Sequence, residues 1–343
     1  MAKKVPFLSL VSVISCFAVV LLHSNGCFWS FSTESYWKSA NLIECLAYFA
    51  VPCFFMISGA TLLNFREKYS LREYFKKRMV KTLIPFLFWS FVGIAYALLT
   101  KTVSFSDLSP LFIYNGVLRN TFVGVYWFFL SLFGMYLCIP LFAAVAEDAR
   151  RQTFLYLIGA GTVVNIAVPF MIRLSGKDIA WPINIAVAAG PLIYLPLGYM
   201  IREYEIPKAL RLTLYVLGAA GFSAHLFGTY YLSVKKGAID DLFKGYTNLP
   251  CLLFSVAVFV FFKYHSEKIL RFQPVRRLIG FLSGYTFPVY LMHWFMLNGA
   301  CRLLAIDTHA LWYRLGAPFL VIPAVVAITW VLKKIPVVKR IVP

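Results

Sequence analysis

The chain has 343 residues, of which 61% are hydrophobic and only 14% are charged, and its mean hydropathy is +0.76. A soluble domain carries about 25% charged and about 45–50% apolar residues, so no soluble fold of this length could bury so many apolar side chains. The net charge of +19 does not indicate a nucleic-acid binder, because the basic residues form short clusters between long apolar runs. The composition therefore predicts an all-α integral membrane protein.

Ten apolar segments are long enough to cross a bilayer core, which requires about 20 residues per helix. The predicted spans are residues 5–23, 40–65, 82–100, 122–143, 153–173, 183–201, 211–232, 247–263, 279–299 and 313–332. No small-x-small cleavage site follows the first segment, so we interpret it as a membrane span rather than a signal peptide. The loops are short, and residues 1–343 are expected to form a single transmembrane domain.

The orientation of this bundle is predicted from the Lys and Arg residues of its loops. With the N-terminus inside, roughly two-thirds of the 33 basic residues fall in inner segments, as the positive-inside rule requires. We therefore expect both termini in the cytoplasm, an even number of spans, and contact between the inner loops and anionic membrane lipids.

The seven cysteines have no C-x-x-C spacing and lie mostly within the predicted spans. They are expected to be small packing residues, with a bridge from Cys27 to another outward-facing cysteine as the alternative. We predict no metal site, and the oligomeric state is left open.

Ionisable residues inside membrane spans are costly, and they are therefore candidates for functional sites. Four occur at or within the predicted spans, namely His23, Glu44, His225 and His293. Ser12 precedes His23 by three helical turns on the same face, so this polar stripe should face the bundle interior or a cavity. A hydrogen bond to a neighbouring helix is the alternative role for His23, and His225 is expected to make a structural bond.

Glu44 is expected at a depth similar to that of His23, because the second span enters from the outside. A carboxylate there could orient the imidazole and raise its basicity, as in a catalytic dyad. An interfacial carboxylate hydrated by loop water is the alternative.

The stretch before the third span, REKYSLREYFKKRMVKTLIPF, carries seven cations within residues 66–81. Tyr74, Arg78, Lys81 and Pro85 recur at the spacing of one helical face. Arg78 and Lys81 at the cytoplasmic mouth could bind phosphate groups. The alternative is charge that serves only to set the topology.

These segments resemble, in the right order, the motifs of the membrane-bound acyltransferase-3 family, which are bacterial integral-membrane O-acyltransferases. FAVVLLHS, ending in His23, resembles the first-helix histidine motif, and FAVPCFFMISGATLL, with Ser58, resembles the VPxFFxxSG signature. YFKKRMVKTLIPFLFW resembles the basic block before the third helix. YWFFLSLFGMYLCIPLF, with Trp127, resembles the WFL…YL…P span, and LSGYTFPVYLMHWF, with His293, is a weaker fifth match.

Two positions depart from the family pattern. The family usually has an arginine eleven residues before the histidine, where this chain has Ser12. Its basic block usually reads Arg-x-x-Arg, whereas this chain has Arg78 and Lys81, which keeps the charge but loses one bidentate guanidinium. The first departure keeps open an inactive, acyltransferase-like sensor as an alternative.

The resemblance implies transfer of an acyl group, usually acetyl, from cytoplasmic acyl-CoA such as acetyl-CoA to a hydroxyl of an extracytoplasmic glycan or lipid-linked sugar. His23 would then be the general base or an acyl-carrying nucleophile, with Glu44 beside it, and Arg78 and Lys81 would bind the donor. The expected location is the bacterial cytoplasmic (inner) membrane. A transporter or flippase of a lipid-linked sugar is the rival interpretation, although the internal repeats that it predicts are not found.

Overall fold

The computed structural model describes residues 5–336, 338 and 341–343, and the regular secondary structure within this part is helical throughout. Its sixteen α-helices are α1 (Pro6–Ser24), α2 (Ser35–Ala47), α3 (Ala50–Leu62), α4 (Leu71–Arg78), α5 (Ile84–Leu99), α6 (Pro110–Leu118), α7 (Trp127–Phe142), α8 (Glu147–Gly161), α9 (Val168–Ser175), α10 (Tyr194–Glu203), α11 (Lys208–Ser223), α12 (Thr229–Lys236), α13 (Leu249–Ile269), α14 (Gln273–Leu282), α15 (Thr286–Leu304) and α16 (Leu311–Leu332).

Short π-helical turns join some of these α-helices into longer ones. Met79–Leu83 joins α4 to α5, Thr162–Ala167 joins α8 to α9, and Ala224–Gly228 joins α11 to α12. Each joined segment has 29 residues. At 1.5 Å per residue such a helix is about 43 Å long, which exceeds the hydrocarbon core of roughly 30 Å. These helices therefore extend beyond the apolar core of a bilayer.

Within the described residues, eight helical segments are long and apolar enough to cross a membrane. Each overlaps one of the ten predicted spans. The eight are Pro6–Ser24, Ser35–Glu67, Leu71–Leu99, Gly124–Phe142, Glu147–Ser175, Lys208–Lys236, Leu249–Ile269 and Leu311–Leu332. The expectation of an all-helical, multi-pass membrane protein is confirmed.

The other two predicted spans differ from the structure in their bounds. In the segment 183–201 the α-helix begins only at Tyr194, because Gly190 adopts a left-handed backbone (φ 54°) before Pro191 and interrupts any earlier helix. In the segment 279–299, a turn after α14 separates the first residues from α15. The resulting helices have 10 and 19 residues, and α10 alone is too short to cross a bilayer core.

Helix α1 lies at the centre of the bundle, in contact with α2, α3, α13, α14, α15 and α16. A close crossing elsewhere joins α3 to α10, where two glycines allow the backbones to touch. A Cβ atom on Gly59 would lie 2.1 Å from the Leu195 carbonyl oxygen, and one on Gly198 would lie 1.9 Å from that of Met56. Small residues at helix crossings are typical of membrane bundles, in which packing rather than the hydrophobic effect drives association.

Helix α7 defines the two ends of the bundle that matter for function. Its first residue, Trp127, lies near His23 at the end of α1, and the backbone oxygen of Tyr136 accepts a hydrogen bond from the Tyr74 hydroxyl of α4 at 3.0 Å. Nine residues of helix between Trp127 and Tyr136 correspond to about 14 Å. We call these the His23 end and the Arg78 end of the bundle, since Arg78 packs against Tyr136.

Candidate active site

A cavity of about 310 Å³ lies at the His23 end, and the His23 side chain is exposed to it. Helices α1, α2, α3, α7 and α15 and the segments before α2, α7 and α13 all contribute to its wall. Aromatic side chains dominate that wall, namely Trp29, Tyr48, Phe54, Trp127, Phe128, Tyr246 and Tyr290. His23 and Trp127 also line an adjoining cavity of about 320 Å³ with Trp294 and Asn298 of α15. The imidazole is therefore accessible from within the bundle.

Glu44 lines the same cavity as His23, but its hydrogen-bond partner is a lysine. The Lys244 ammonium lies 2.6 Å from the Glu44 Oε1 atom, and both side chains are only 3% exposed. The ammonium also lies 3.9 Å from the ring centroid of Tyr48 and 4.6 Å from that of Phe28, within cation–π range. The structure thus brings Glu44 and His23 to one cavity, while the carboxylate is bound by Lys244 rather than by the imidazole.

The segment between α12 and α13, residues 237–248, closes one side of this cavity. The Tyr246 ring stacks on Tyr48 at a centroid distance of 4.2 Å and on Trp127 at 5.4 Å. The Tyr194 hydroxyl donates a hydrogen bond to the Tyr246 carbonyl oxygen. Burial raises the pKa of the Tyr246 phenol well above its usual value. That phenol is therefore protonated at neutral pH and available as a hydrogen-bond donor.

His293 is fully buried on α15, directly beside His23. The two ring centroids are 5.1 Å apart, with 39° between the ring planes. The His293 Nδ1 atom lies 2.9 Å from the Val289 carbonyl oxygen and 2.8 Å from that of Tyr290, whereas Nε2 has no hydrogen-bond partner among the described residues. Two histidines from distant parts of the chain thus meet behind the cavity.

The end of α1 that carries His23 is held by a buried arginine of α16. The Arg314 guanidinium donates to the Ser39 hydroxyl at 2.9 Å and to the Asn25 side-chain oxygen at 3.3 Å. The backbone oxygen of Arg314 accepts a hydrogen bond from the Ser24 hydroxyl at 2.8 Å. These bonds connect α1, α2 and α16 immediately after His23, and they fix the position of the imidazole relative to the cavity.

The two predicted serine candidates do not line this cavity. The Ser12 hydroxyl donates to the Thr286 hydroxyl of α15 at 3.2 Å, eleven residues or about 16 Å along α1 from His23. The Ser58 hydroxyl donates to the Phe54 carbonyl oxygen of its own helix at 3.1 Å. Both hydroxyls satisfy their hydrogen bonds within the helical bundle.

Arg78 is the last residue of α4, and Lys81 lies within the π-helical turn that follows it. The environments of the two side chains differ. Arg78 is half-buried, with its guanidinium carbon 5.5 Å from the ring centroid of Tyr136 and 6.0 Å from that of Tyr74. Lys81 is exposed within the turn. The π turn changes the angular spacing of the side chains, so the single helical face expected for Tyr74, Arg78, Lys81 and Pro85 is not maintained at Lys81.

The remaining expectations from the sequence concern the cysteines, His225 and metal binding. All seven cysteines, each within the described part of the chain, are free thiols. The His225 ring packs against the Tyr48 ring at 5.0 Å, but its Nε2 atom has no hydrogen-bond partner among the described residues, so the structural bond expected for it is not seen there. No group of three His, Cys, Asp or Glu side chains among the described residues is arranged to bind a metal ion.

Sequence reasoning had selected His23, Glu44, Trp127 and His293 but missed Lys244, which binds Glu44. Lys244 lies in a short connecting segment, KKGAIDDLFKGYTNLP, that reads as an ordinary polar loop. Its charge does not distinguish it from the other cations outside the spans. Only the tertiary structure, which folds this loop back over the end of α2, shows its role.

Taken together, the fold and the cavity define a multi-pass helical membrane protein with an accessible histidine at one end and a cluster of cations at the other. The family described as "Acyltransferase domain" matches residues 5–334. The chain therefore belongs to this acyltransferase-3 family, as its motifs predicted. It is 26% identical over 308 residues to "Putative membrane-bound acyltransferase YfiQ" of Bacillus subtilis (strain 168), a match that covers 86% of this chain and 82% of that protein. No solved structure matches the chain.

Proposed function

We propose that this protein transfers an acyl group, in the first instance acetyl, from cytoplasmic acyl-CoA to a hydroxyl group of an extracytoplasmic glycan or lipid-linked sugar. The observation that carries the proposal is the exposed His23 imidazole in an aromatic-lined cavity of an acyltransferase-family chain. A neutral imidazole is the side chain most often used for proton transfer near neutral pH.

In the proposed reaction His23 is the general base. It takes the proton of the acceptor hydroxyl as that oxygen attacks the thioester carbonyl carbon. The new C–O bond forms, the C–S bond breaks, and the coenzyme A thiolate takes up the proton from the imidazolium. General-base catalysis of this kind contributes typically about 10²–10⁴-fold to the rate.

The acyl donor is proposed to bind at the Arg78 end. Arg78 and Lys81 would hold its phosphates through charge-assisted hydrogen bonds. The flexible arm of the donor would then cross about 14 Å of the bundle alongside α7 to reach His23. Phosphate binding and chemistry are therefore assigned to opposite ends.

The acceptor is proposed to enter the cavity from the His23 end. Its aromatic wall suits the apolar faces of a sugar ring, and the Tyr246 phenol and the Glu44 carboxylate can bind hydroxyl groups. A volume of about 310 Å³ accommodates one ring-sized group beside the imidazole.

The proposed topology has ten spans with both termini in the cytoplasm of a bacterial cell. The segments 183–201 and 279–299, which contain α10 and α15, would complete the ten, in addition to the eight longer segments of the described chain. The excess of Lys and Arg on alternate loops supports this orientation. It puts the Arg78 end at the cytoplasm and the His23 end at the outer face of the inner membrane.

The test is incubation of the purified protein with acetyl-CoA labelled in the acetyl group, with and without candidate saccharides. We expect transfer of label to the saccharide, and slow hydrolysis of the thioester when water replaces the acceptor. Arg72→Ala with Lys76→Ala, two exposed cations of the same helix, is the matched control for the donor site and should leave the rate unchanged. Retention of all the label on coenzyme A under every condition would refute the proposal and favour an inactive relative or a transporter.

A further inference from the structure

We propose that His293 is a positioning residue for His23. In this arrangement the Nε2 atom of His293 accepts a hydrogen bond from one ring N–H of His23 and leaves the other His23 nitrogen unprotonated toward the acceptor hydroxyl. This inference rests on the proposed role of His23 as general base, and it assigns a specific function to His293, which lies buried behind the cavity.

The protonation state of His293 follows from its contacts. Its Nδ1 atom lies within hydrogen-bond distance of two backbone carbonyl oxygens, those of Val289 at 2.9 Å and Tyr290 at 2.8 Å. Carbonyl oxygens only accept hydrogen bonds, so Nδ1 must carry the proton. In a neutral imidazole the Nε2 atom then has a free lone pair. His293 is therefore fixed as a hydrogen-bond acceptor at Nε2.

That lone pair is buried and has no partner in the described part of the chain. A buried acceptor without a hydrogen bond is destabilising, so such atoms are rare in native structures and call for an explanation. The Tyr290 ring lies 5.8 Å away, but its hydroxyl already donates to the Val125 carbonyl oxygen. A donor from the cavity is needed to satisfy Nε2.

His23 is placed to be that donor. The centroids of its ring and of the His293 ring are 5.1 Å apart. Two imidazoles joined by an N–H···N bond of about 2.9 Å have centroids about 5 Å apart, since each ring adds little more than 1 Å on either side. The exposed His23 ring is free to turn about its broad χ2 torsion. Catalytic hydrogen bonds are often poorly aligned before substrate binds and tighten in the complex.

The consequence for the reaction is control of which nitrogen acts as base. With one N–H held by His293, the other His23 nitrogen faces the cavity with its lone pair free. When it takes the proton of the acceptor hydroxyl, the imidazolium keeps its second N–H on His293, and the proton then passes to the coenzyme A thiolate. His293 remains neutral throughout. A third group that orients the base is the general arrangement of nucleophile–base pairs.

Two substitutions of similar size test this role. In His293→Asn the amide can reproduce the Nδ1–H donor to the helix carbonyls, but no atom reaches the Nε2 position. In His293→Gln a side-chain oxygen reaches the Nε2 position and can accept the bond from His23. We expect Asn to lower kcat about 10–100-fold with little change in KM for either substrate, and Gln to retain at least several times the kcat of Asn. Equal kcat values for the two variants would overturn the proposal.

A double-mutant cycle with His23→Ala separates positioning from a merely structural role. If His293 acts through His23, adding His293→Asn to His23→Ala should lower the residual rate by less than twofold. A further loss equal to that in the wild-type background would show an independent, structural effect and would contradict the proposal.

A spectroscopic measurement keeps the proposal testable even if no acyl transfer is found. The chain has 5 histidines, so ¹⁵N-histidine labelling with single substitutions assigns each ring. We expect His23 to be held in one tautomer in the wild type and in His293→Gln, and to become a tautomer mixture in His293→Asn. A His23 tautomer ratio unaffected by His293→Asn would refute the positioning role, whereas a shift in that ratio without any acyl transfer would refute only the proposed reaction.

Discussion

The buried ion pair between Glu44 and Lys244 allows a quantitative prediction about stability. Its atoms are 2.6 Å apart and both side chains are 3% exposed. At an effective dielectric constant of 20, two unit charges at that distance attract by about 6 kcal/mol. Burial of each ion costs several kcal/mol, so the intact pair contributes little net stability. Removal of one partner should nevertheless be severe, because it leaves an uncompensated charge inside the bundle.

We therefore expect Lys244→Met to lower the free energy of unfolding by about 3–5 kcal/mol. Adding Glu44→Gln removes the remaining charge and should restore at least about half of that loss. The matched control is Lys236→Met, which breaks the Lys236–Asp240 pair between the end of α12 and the same segment. Because the Lys236 side chain is 56% exposed, its loss should cost no more than about 0.5 kcal/mol.

The assay is chemical denaturation of the purified protein in detergent micelles, with the four variants of the Glu44–Lys244 cycle measured side by side. A strongly non-additive cycle is the expected outcome. Two results would refute the reasoning. One is a Lys244→Met variant as stable as Lys236→Met, and the other is a double variant that loses the sum of the two single losses.

Three further predictions concern the bundle and the donor site. Gly198→Ala should lower the free energy of unfolding by at least about 2 kcal/mol, because its Cβ would meet the backbone of α3. Gly134→Ala is the control, since its Cβ would lie in open space and should leave stability unchanged. Equal thermal stability of the two variants would contradict the close crossing. Changing Arg78 and Lys81 together to Ala should weaken acetyl-CoA binding by at least about a hundredfold, measured by calorimetry, since charge-assisted hydrogen bonds contribute roughly 1.5–3 kcal/mol each. Unchanged affinity would reduce these cations to topology signals. A reporter fused after Pro343 should be cytoplasmic, and a periplasmic signal would exclude the even number of spans.

The helical segments of this chain could be predicted well where the apolar run was continuous and poorly where backbone chemistry interrupted it. The first span was placed within one residue at each end, because its apolar run is bounded by a proline and a polar turn. The segment 183–201 was equally apolar, but Gly190 and Pro191 delay its α-helix to Tyr194. Hydropathy measures burial in lipid and does not report such breaks.

For the candidate site, single residues could be selected from the sequence, but their partners could not. His23, Glu44 and His293 could be selected because ionisable residues are rare inside apolar segments. The mutual arrangement of these residues could not be predicted from the sequence, because it depends on α15 packing against α1 and on residues 237–248 folding over α2. The sequence allowed Glu44 either to orient His23 or to face loop water, whereas the structure buries its side chain against Lys244. Sequence identifies unusual residues one at a time, and their partners follow only from the packing of helices that are distant in the chain.

Replacement of His23 by alanine, assayed with labelled acetyl-CoA and a saccharide acceptor, tests the account most directly. We predict that transfer falls about 10²–10⁴-fold, while acetyl-CoA binding and thermal stability stay close to wild type, because the donor phosphates are held at the opposite end of the bundle. His265→Ala, at a half-buried histidine of α13 that lines neither cavity beside His23, is the control and should transfer at the wild-type rate. Full acyl-transfer activity in His23→Ala would contradict the proposed chemistry.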